Sequence, residues 1–484
     1  MIYVDRRNKR PCFGMGIFLT AGMHFYEKIS AGGRETEMNF YDFSFIFVFL
    51  PAFLLIYYGI PAKGRNLVLA MGSFVFYCIN SWKRPWCIVL LLGIILLTWL
   101  GGIWLECALR RRGLHVLLCT ALVGCLLCFK YTGLFGDSAV LPLGISFYTF
   151  QIIAYLTQVA GGMEAIWSFP DYAAMVLMFP KLLSGPLVPP GEMKRQLAQR
   201  SSGMAEVDRG LRELILGLAM KVLLADRIGG LWQQVQTLGF DSLSGPLAWM
   251  GIWAYSFQLL FDFAGYSRMA VGLGRMLGFR LPINFDHPYI SRSMTEFWHR
   301  WHMTLGAWFR DYVYIPLGGS RAGTWRLLRN LLIVWLLTGI WHGSTWNFLL
   351  WGVCLFGVIA NEKLWLGRIL ERHRILSRVY MLLLIPLCWL VFAVPDPGQI
   401  IVYFTRLFSC PGGLGQGIQQ ALPYVKSYLP YFAAAIVLSC VWPERLWNRI
   451  RSSPLGTILL LVLFWACVFA MSLRSGDPFL YGSF

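Results

Sequence analysis

Long apolar runs alternate with short basic links from residue 43 to residue 473. The clearest runs are 43–60, 67–79, 85–105, 114–129, 247–261, 345–360, 379–394, 428–442 and 454–473. Each is near the ~20 residues a spanning helix needs, or somewhat short of it. The pattern predicts an all-α, polytopic membrane protein of roughly eleven to thirteen membrane segments, some of them re-entrant or interfacial. In 140–160, Pro142 and Gly144 break the run early, which predicts a kinked or re-entrant segment. Residues 180–191 hold four prolines and two glycines and read as a loop. Residues 192–212 are polar and predict an exposed loop and a helix start, and 211–228 is amphipathic. The polar, glycine-rich stretch 396–426 predicts a long loop. Basic links at 363–378 and 445–451 belong on the cytoplasmic face, which places 396–426 and the C-terminal tail outside. No internal repeat is visible.

Composition narrows the class further. Of 484 residues, 57% are hydrophobic and only 14% charged. A soluble domain carries about a quarter charged residues, so this chain lacks the polar residues to cover a soluble surface. The formal charge of +18 sits mainly in the short links. Topology and anionic membrane lipid account for it, and nucleic acid is not implied. The twelve cysteines lie mostly inside apolar runs, where they act as small hydrophobes. Cys125 and Cys128 have CxxC spacing but sit in the middle of such a run, so no metal is expected there. In residues 1–37, Arg6, Arg7, Lys9 and Arg10 precede a short glycine-broken apolar run. That reads as a signal-like segment or as an extension ahead of the fold, and the extension is favoured. A single membrane domain is expected over 38–484.

Polar chemistry concentrates in 258–351. Four of the seven histidines lie there: His287, His299, His302 and His342. His342 falls between two apolar segments, next to Gly343. An imidazole at that depth is costly unless it packs against a hydrogen-bond partner or serves a site. The functional reading is favoured about two to one, because intramembrane ionisable groups are functional by default. Neutral imidazole is the usual side chain for taking a proton from a hydroxyl. His299 and His302 are three apart and would share one helix face. Glu296 one turn back makes a metal site conceivable, but a metal needs a fuller ligand set, so His302 is assigned to the site and His299 to solvent or headgroups. Arg300, Arg310 and Asp311 lie among Trp298, Trp301, Trp308 and Phe309. This is either an interfacial helix with its aromatic belt or a cationic, aromatic wall for a phosphorylated donor or carrier. Asp262 and Asn284 read first as structural hydrogen-bonders. Trp301, Arg300, Arg310, Asp311 and Asn284 form the candidate substrate- or donor-binding set.

Six motifs then bear on identity: LPLGISFYTFQ (141–151), FPKLLSGPLV (179–188), FDFAGYS (261–267), INFDHPYI (283–290), EFWHRWHMTLGAWFRDYVYIPLGG (296–319) and GIWHGSTWNFLLWG (339–352). With them the chain resembles the membrane-bound O-acyltransferase (MBOAT) family over essentially 38–484, in the branch of the alginate O-acetylase and the D-alanyl transferase of teichoic acids. The unbroken 297–319 stretch lies nearer the acetylase side. The resemblance implies helices around a central funnel and acyl transfer, acetyl above all, to hydroxyls of an exported polysaccharide or cell-wall polymer. It implies that His342 is the catalytic histidine and His302 its support. No bound cofactor is implied; the co-substrate is an acyl thioester, either acetyl-CoA or an acyl carrier protein on the cytoplasmic side. An extracellular accessory acyltransferase is a further implied partner, and D-alanyl transfer to teichoic acid is the neighbouring alternative. Departures from the family pattern are Arg268 after GYS, Ala393 after the late aromatic pair, and the terminal YGSF. A transporter or lipid-linked sugar flippase is the reading from another class, but transporters commonly carry two related halves and 258–351 has no counterpart elsewhere.

Overall fold

Apolar runs become helices in the computed structural model of this chain, and the basic links at 363–378 and 445–451 are largely helical as well. The structure describes residues 38–108, 111–131, 141–321 and 323–473, and the regular elements among them are helical. The expected extension at 1–37 and the YGSF terminus lie outside the described residues. The first group comprises α1 (Leu50–Gly59), α2 (Arg65–Asn80), α3 (Pro85–Cys107) and α4 (Arg111–Tyr131). A π-helical turn, Phe45–Phe49, leads into α1, and both α1 and α3 carry proline in the first turn. There the fixed φ suits a helix start and the missing N–H costs nothing.

α5 (Ile145–Ala160) begins just after Pro142 and Gly144, so the run 140–160 does break where its sequence suggested. Gly144 has φ +68°, and a Cβ there would meet the Leu182 carbonyl oxygen at 2.5 Å. Only glycine meets both conditions without strain. α6 (Phe169–Leu177), the single turn Phe179–Leu182 and α7 (Pro190–Ala198) follow.

α8 (Met204–Ala219) runs through a π-helical turn, Met220–Ala225, into α9 (Asp226–Leu238). α10 (Gly245–Met276) packs antiparallel against α8 and is 32 residues long. Two glycine pairs bring these backbones together. A Cβ on Gly210 would lie 2.4 Å from the Gly272 carbonyl oxygen, and one on Gly217 would lie 2.5 Å from that of Gly265. Small residues at seven-residue spacing on both helices allow this approach, the usual solution where lipid supplies no hydrophobic drive between helices. Beside this seam Lys221 is bonded to Asp226 at 2.8 Å and to Asp262 at 2.5 Å, all three side chains being 1–2% exposed.

The remainder comprises α11 (Met294–Arg300), α12 (Met303–Phe309), α13 (Thr324–His342), α14 (Trp346–Asn361), α15 (Arg374–Ala393), α16 (Pro397–Leu407), α17 (Leu414–Leu438), α18 (Val441–Ile450) and α19 (Pro454–Ser472). Among the described residues six helices are long and apolar enough to cross a membrane: α3, α4, α14 with its continuation to Arg372, α15, α17 and α19. Phe45–Gly59 is a shorter apolar helix. Others, such as α5, α10 and α13, are shorter or more polar.

Two expectations are corrected here. Residues 396–426 are not a long loop but α16 and the first half of α17, joined by a turn in which Gly412 and Gly413 have φ +82° and +90°. Ile400, Tyr403 and Leu407 are buried on one helical face, and Asp396 caps the Gly398 N–H at 2.9 Å. Overall polarity therefore hid an amphipathic period. Nor do His299 and His302 share a helix face. α11 ends at Arg300, and His302 takes a left-handed backbone (φ +44°) as the N-cap of α12.

Candidate functional site

His342 is the last residue of α13, and its position follows from how α13 meets α14. A Cβ on Gly339 would sit 2.6 Å from the Phe348 carbonyl oxygen, and one on Gly343 would sit 2.3 Å from the Phe348 ring. These two glycines let the helices close within one turn of the imidazole. His342 is 6% exposed. Around it stand Trp341 at 4.5 Å, the edge-on rings of Trp351 and Phe392 at 5.1 Å each, and Phe348 at 6.2 Å. The remaining side opens on a cavity of about 50 Å³ that Lys130, Gly144, Ser146, Phe147, Ser184 and Trp341 help to line. Thus the break before α5, which placed Gly144, also shapes the wall opposite the imidazole.

α4 closes the site from another direction. The Tyr131 hydroxyl donates to the carbonyls of Ile340 (2.6 Å) and Gly343 (3.2 Å), the residues flanking Trp341 and His342. One residue earlier, Lys130 holds its ammonium 5.5 Å from the centre of the Trp341 ring. Sequence reading missed Lys130, because a lysine ending an apolar run looks like a topology charge. A cation facing Trp within about 6 Å is favourable, more so when water is excluded.

His302 approaches from the α11–α12 turn and is 3% exposed. Asn284, 1% exposed, holds this turn. Its carboxamide oxygen accepts from the Thr304 hydroxyl (2.7 Å) and the Thr304 N–H (3.2 Å), and lies 3.4 Å from His302 Nδ1. Asn284 thereby favours the tautomer with the proton on Nδ1 and the lone pair on Nε2. The Phe263 ring meets His302 edge-on at 4.7 Å. Phe147 stands 6.2 Å from His302 and 6.3 Å from Trp341, so one ring spans the space between the two histidine environments.

The other residues singled out in the sequence lie elsewhere, and none lines the His342 cavity. Trp301 is buried in an aromatic cluster with Trp389 at 4.9 Å and Phe285 at 5.0 Å. Arg300 pairs with Glu296 at 3.0 Å and Asp286 at 3.6 Å. Arg310 pairs with its neighbour Asp311 at 2.7 Å, both largely exposed. His299 is exposed. Asp262 serves the Lys221 ion pair already described. Among the described residues, no three His, Cys, Asp or Glu side chains gather as a metal site would require.

His342 thus faces a small cavity, with the buried His302 and a ring of aromatic side chains near it, in a helical chain with six helices long and apolar enough to cross a membrane among the described residues. Residues 104–395 match the model of the MBOAT, membrane-bound O-acyltransferase family, and the chain belongs to that family. It is therefore an O-acyltransferase and a multi-pass membrane protein. Among its relatives is the probable alginate O-acetylase AlgI of Pseudomonas putida, 32% identical, with 91% of this chain and 99% of that protein covered. The probable alginate O-acetylase AlgI of Azotobacter vinelandii is 37% identical over 75% of this chain and 77% of its own length. The peptidoglycan O-acetyltransferase of Helicobacter pylori is 34% identical over 66% of this chain and 68% of its length.

Proposed function

We propose that this enzyme moves a short acyl group, acetyl by preference, from a cytoplasmic thioester donor to hydroxyls of an exported polysaccharide or cell-wall polymer. His342 acts as general base. As the acceptor oxygen attacks the thioester carbonyl carbon, its proton passes to the imidazole. The carbon–sulfur bond then breaks, and the thiolate leaves and takes up that proton. His302, oriented by Asn284, supports this from the far side of Phe147. The observation that carries the reading is that His342, though almost wholly buried, faces a cavity. That cavity, about 50 Å³, is on the scale of a few water molecules and suits a two-carbon acyl group better than a long chain. The named relatives support the acceptor class, since their acceptors are alginate and peptidoglycan. Acetyl-CoA and an acyl carrier protein are both chemically competent donors, and an extracellular accessory protein that completes the transfer is compatible with the same site.

General-base assistance is typically worth about 10²–10⁴ in rate. His342→Ala is therefore expected to reduce polymer ester content by about that factor while the protein remains folded in the membrane. Ester content unchanged in secreted and wall polymers of a His342→Ala strain would refute the assignment.

A further inference from the structure

A second polar cleft lies where α2, the α7–α8 link and the end of α10 meet. It has a volume of about 450 Å³, and Arg65, Arg200, Ser201 and Ser202 contribute to its lining together with Ala62 and Leu197. Neither arginine is within ion-pair distance of a carboxylate among the described residues, and no Asp or Glu lines the cleft. Arg65 uses one terminal nitrogen on the Ser202 hydroxyl, and its plane stands 5.0 Å from the Tyr58 ring centre. Its Nε is buried and has no hydrogen-bond partner among the described residues. Nε is closed off from the cleft, so the donor left for an anion there is the second terminal nitrogen, which makes no hydrogen bond to the described residues. Arg200 is held for the same purpose. Its Nε donates to the Tyr57 hydroxyl at 3.0 Å, a terminal nitrogen donates to Asn66 at 2.5 Å, and its plane lies 4.5 Å from the Phe279 ring.

The neighbouring cleft shows the contrast. It holds Arg209, Arg212, Arg275 and Arg451, but Asp208 and Glu213 line it too, and Glu206 bonds Arg275 at 2.9 Å. Three of its cations have carboxylate partners: Arg209 and Arg275 pair with Glu206, and Arg212 with Asp208. Contacts also fix which face both clefts occupy. Arg212 donates to the Arg451 carbonyl at 2.7 Å, beside the basic α18. Tyr58 and Tyr57 donate to the carbonyls of Met276 and Leu277, at the end of α10 that Arg275 and Glu206 also occupy. By the excess of basic residues this is the cytoplasmic face.

We propose that the Arg65–Arg200 cleft is a cytoplasmic phosphoryl-binding site. Planar guanidiniums fixed by aromatic faces and hydroxyls match phosphate oxygens in fork geometry. The phosphoryl group belongs either to a soluble organic phosphate or to an anionic lipid headgroup; the chemistry recognised is the same. The site goes beyond the acyl-transfer reading and stands or falls without it, since it is tested by binding alone.

The test uses the full chain in zwitterionic-lipid nanodiscs. In one arm inorganic pyrophosphate is titrated and followed by thermal unfolding. In the other, nanodiscs carry phosphatidylglycerol and the lipid retained on the protein is quantified by mass spectrometry. Saturable stabilisation by pyrophosphate that weakens tenfold or more in Arg65→Gln, with partial recovery in Arg65→Lys, assigns a soluble phosphate ligand. Retained phosphatidylglycerol that Arg65→Gln sheds assigns the headgroup. Arg65→Gln is the primary variant because Arg200 also braces Tyr57 and Asn66. No saturable response in either arm, or responses that Arg65→Gln leaves unchanged, overturn the proposal.

Discussion

Replacing Asn284 with alanine tests how the second histidine is held. Three donors converge on its carboxamide oxygen: the Thr304 hydroxyl at 2.7 Å, the Thr304 N–H at 3.2 Å and His302 Nδ1 at 3.4 Å. Asn284→Ala removes all three acceptor contacts from a site that is 1% exposed, so water does not replace them easily. A buried N–H left without a partner costs about 1–3 kcal/mol, and the hydroxyl and the longer imidazole contact add about 1 kcal/mol together. The expected stability loss is therefore about 2–4 kcal/mol. Function should suffer separately, because the His302 ring loses the contact that sets its tautomer and orientation. A misplacement of about 1 Å in a catalytic constellation costs about 10² in rate, so kcat is expected to fall ~10–100-fold with little change in acceptor KM. Asn284→Asp keeps an acceptor oxygen facing the same donors and should recover much of the lost stability. Thermal unfolding in detergent and ester formation by purified membranes, measured on the same preparations, separate the two effects. Wild-type kcat together with a wild-type unfolding midpoint in Asn284→Ala would refute the positioning argument.

Three further outcomes follow from other parts of the fold. Lys221→Met leaves Asp226 and Asp262 facing each other without their shared cation and should cost about 3–5 kcal/mol, whereas Lys221→Met combined with Asp226→Asn and Asp262→Asn should recover most of it; unfolding of the single and triple variants decides this. Glu362→Ala strips acceptors from the Met294 and Thr295 N–H groups (2.7 and 2.8 Å) at the start of α11, so loss of about 2–4 kcal/mol and faster proteolysis near 294 are expected. Gly217→Val should disrupt α8–α10 packing, because its Cβ would meet backbone at 2.5 Å, while Gly124→Val, with nothing within 4 Å, should leave folded yield unchanged in a detergent size-exclusion assay.

How much of this was legible in the chain depends on whether a residue's own chemistry or its surroundings decide its role. The helical class was legible because apolar runs with basic links have few other solutions in a bilayer. The burial of His342 was legible because an imidazole inside a greasy run is conspicuous by type alone. Composition misled at 396–426, where the buried period Ile400, Tyr403 and Leu407 lies within a polar stretch. Spacing misled at His299 and His302, because the left-handed turn at His302 carries no glycine or proline to announce it. Arginine and tryptophan density drew notice to Arg300, Trp301, Arg310 and Asp311. Those residues resolve into ion pairs and an aromatic cluster whose partners, Glu296, Asp286 and Trp389, only the fold identifies. Lys130 and Arg65 passed as topology charges, and Arg200 as part of an exposed loop, for the reverse reason. What distinguishes them is the Trp341 ring and the carboxylate-free cleft, neither of which is encoded near them in sequence.

The two buried imidazoles are held by different means, and the difference suits a transfer enzyme that must avoid hydrolysis. His302 is fixed by hydrogen bonding through Asn284 and by a backbone conformation that commits the α11–α12 turn. His342 stands among the rings of Trp341, Phe348, Trp351 and Phe392 and lines the cavity. Ring faces offer a water little to bond, whereas the cavity side carries the Ser146 and Ser184 hydroxyls and the Lys130 ammonium, so the polar approach to the imidazole is from the cavity. On the proposed reaction, an acceptor hydroxyl admitted to so small a space would compete with water by position rather than by concentration. Packing of α13 against α14 through Gly339 and Gly343 is then part of the chemistry, since those contacts bring Phe348 against the imidazole and keep the space small.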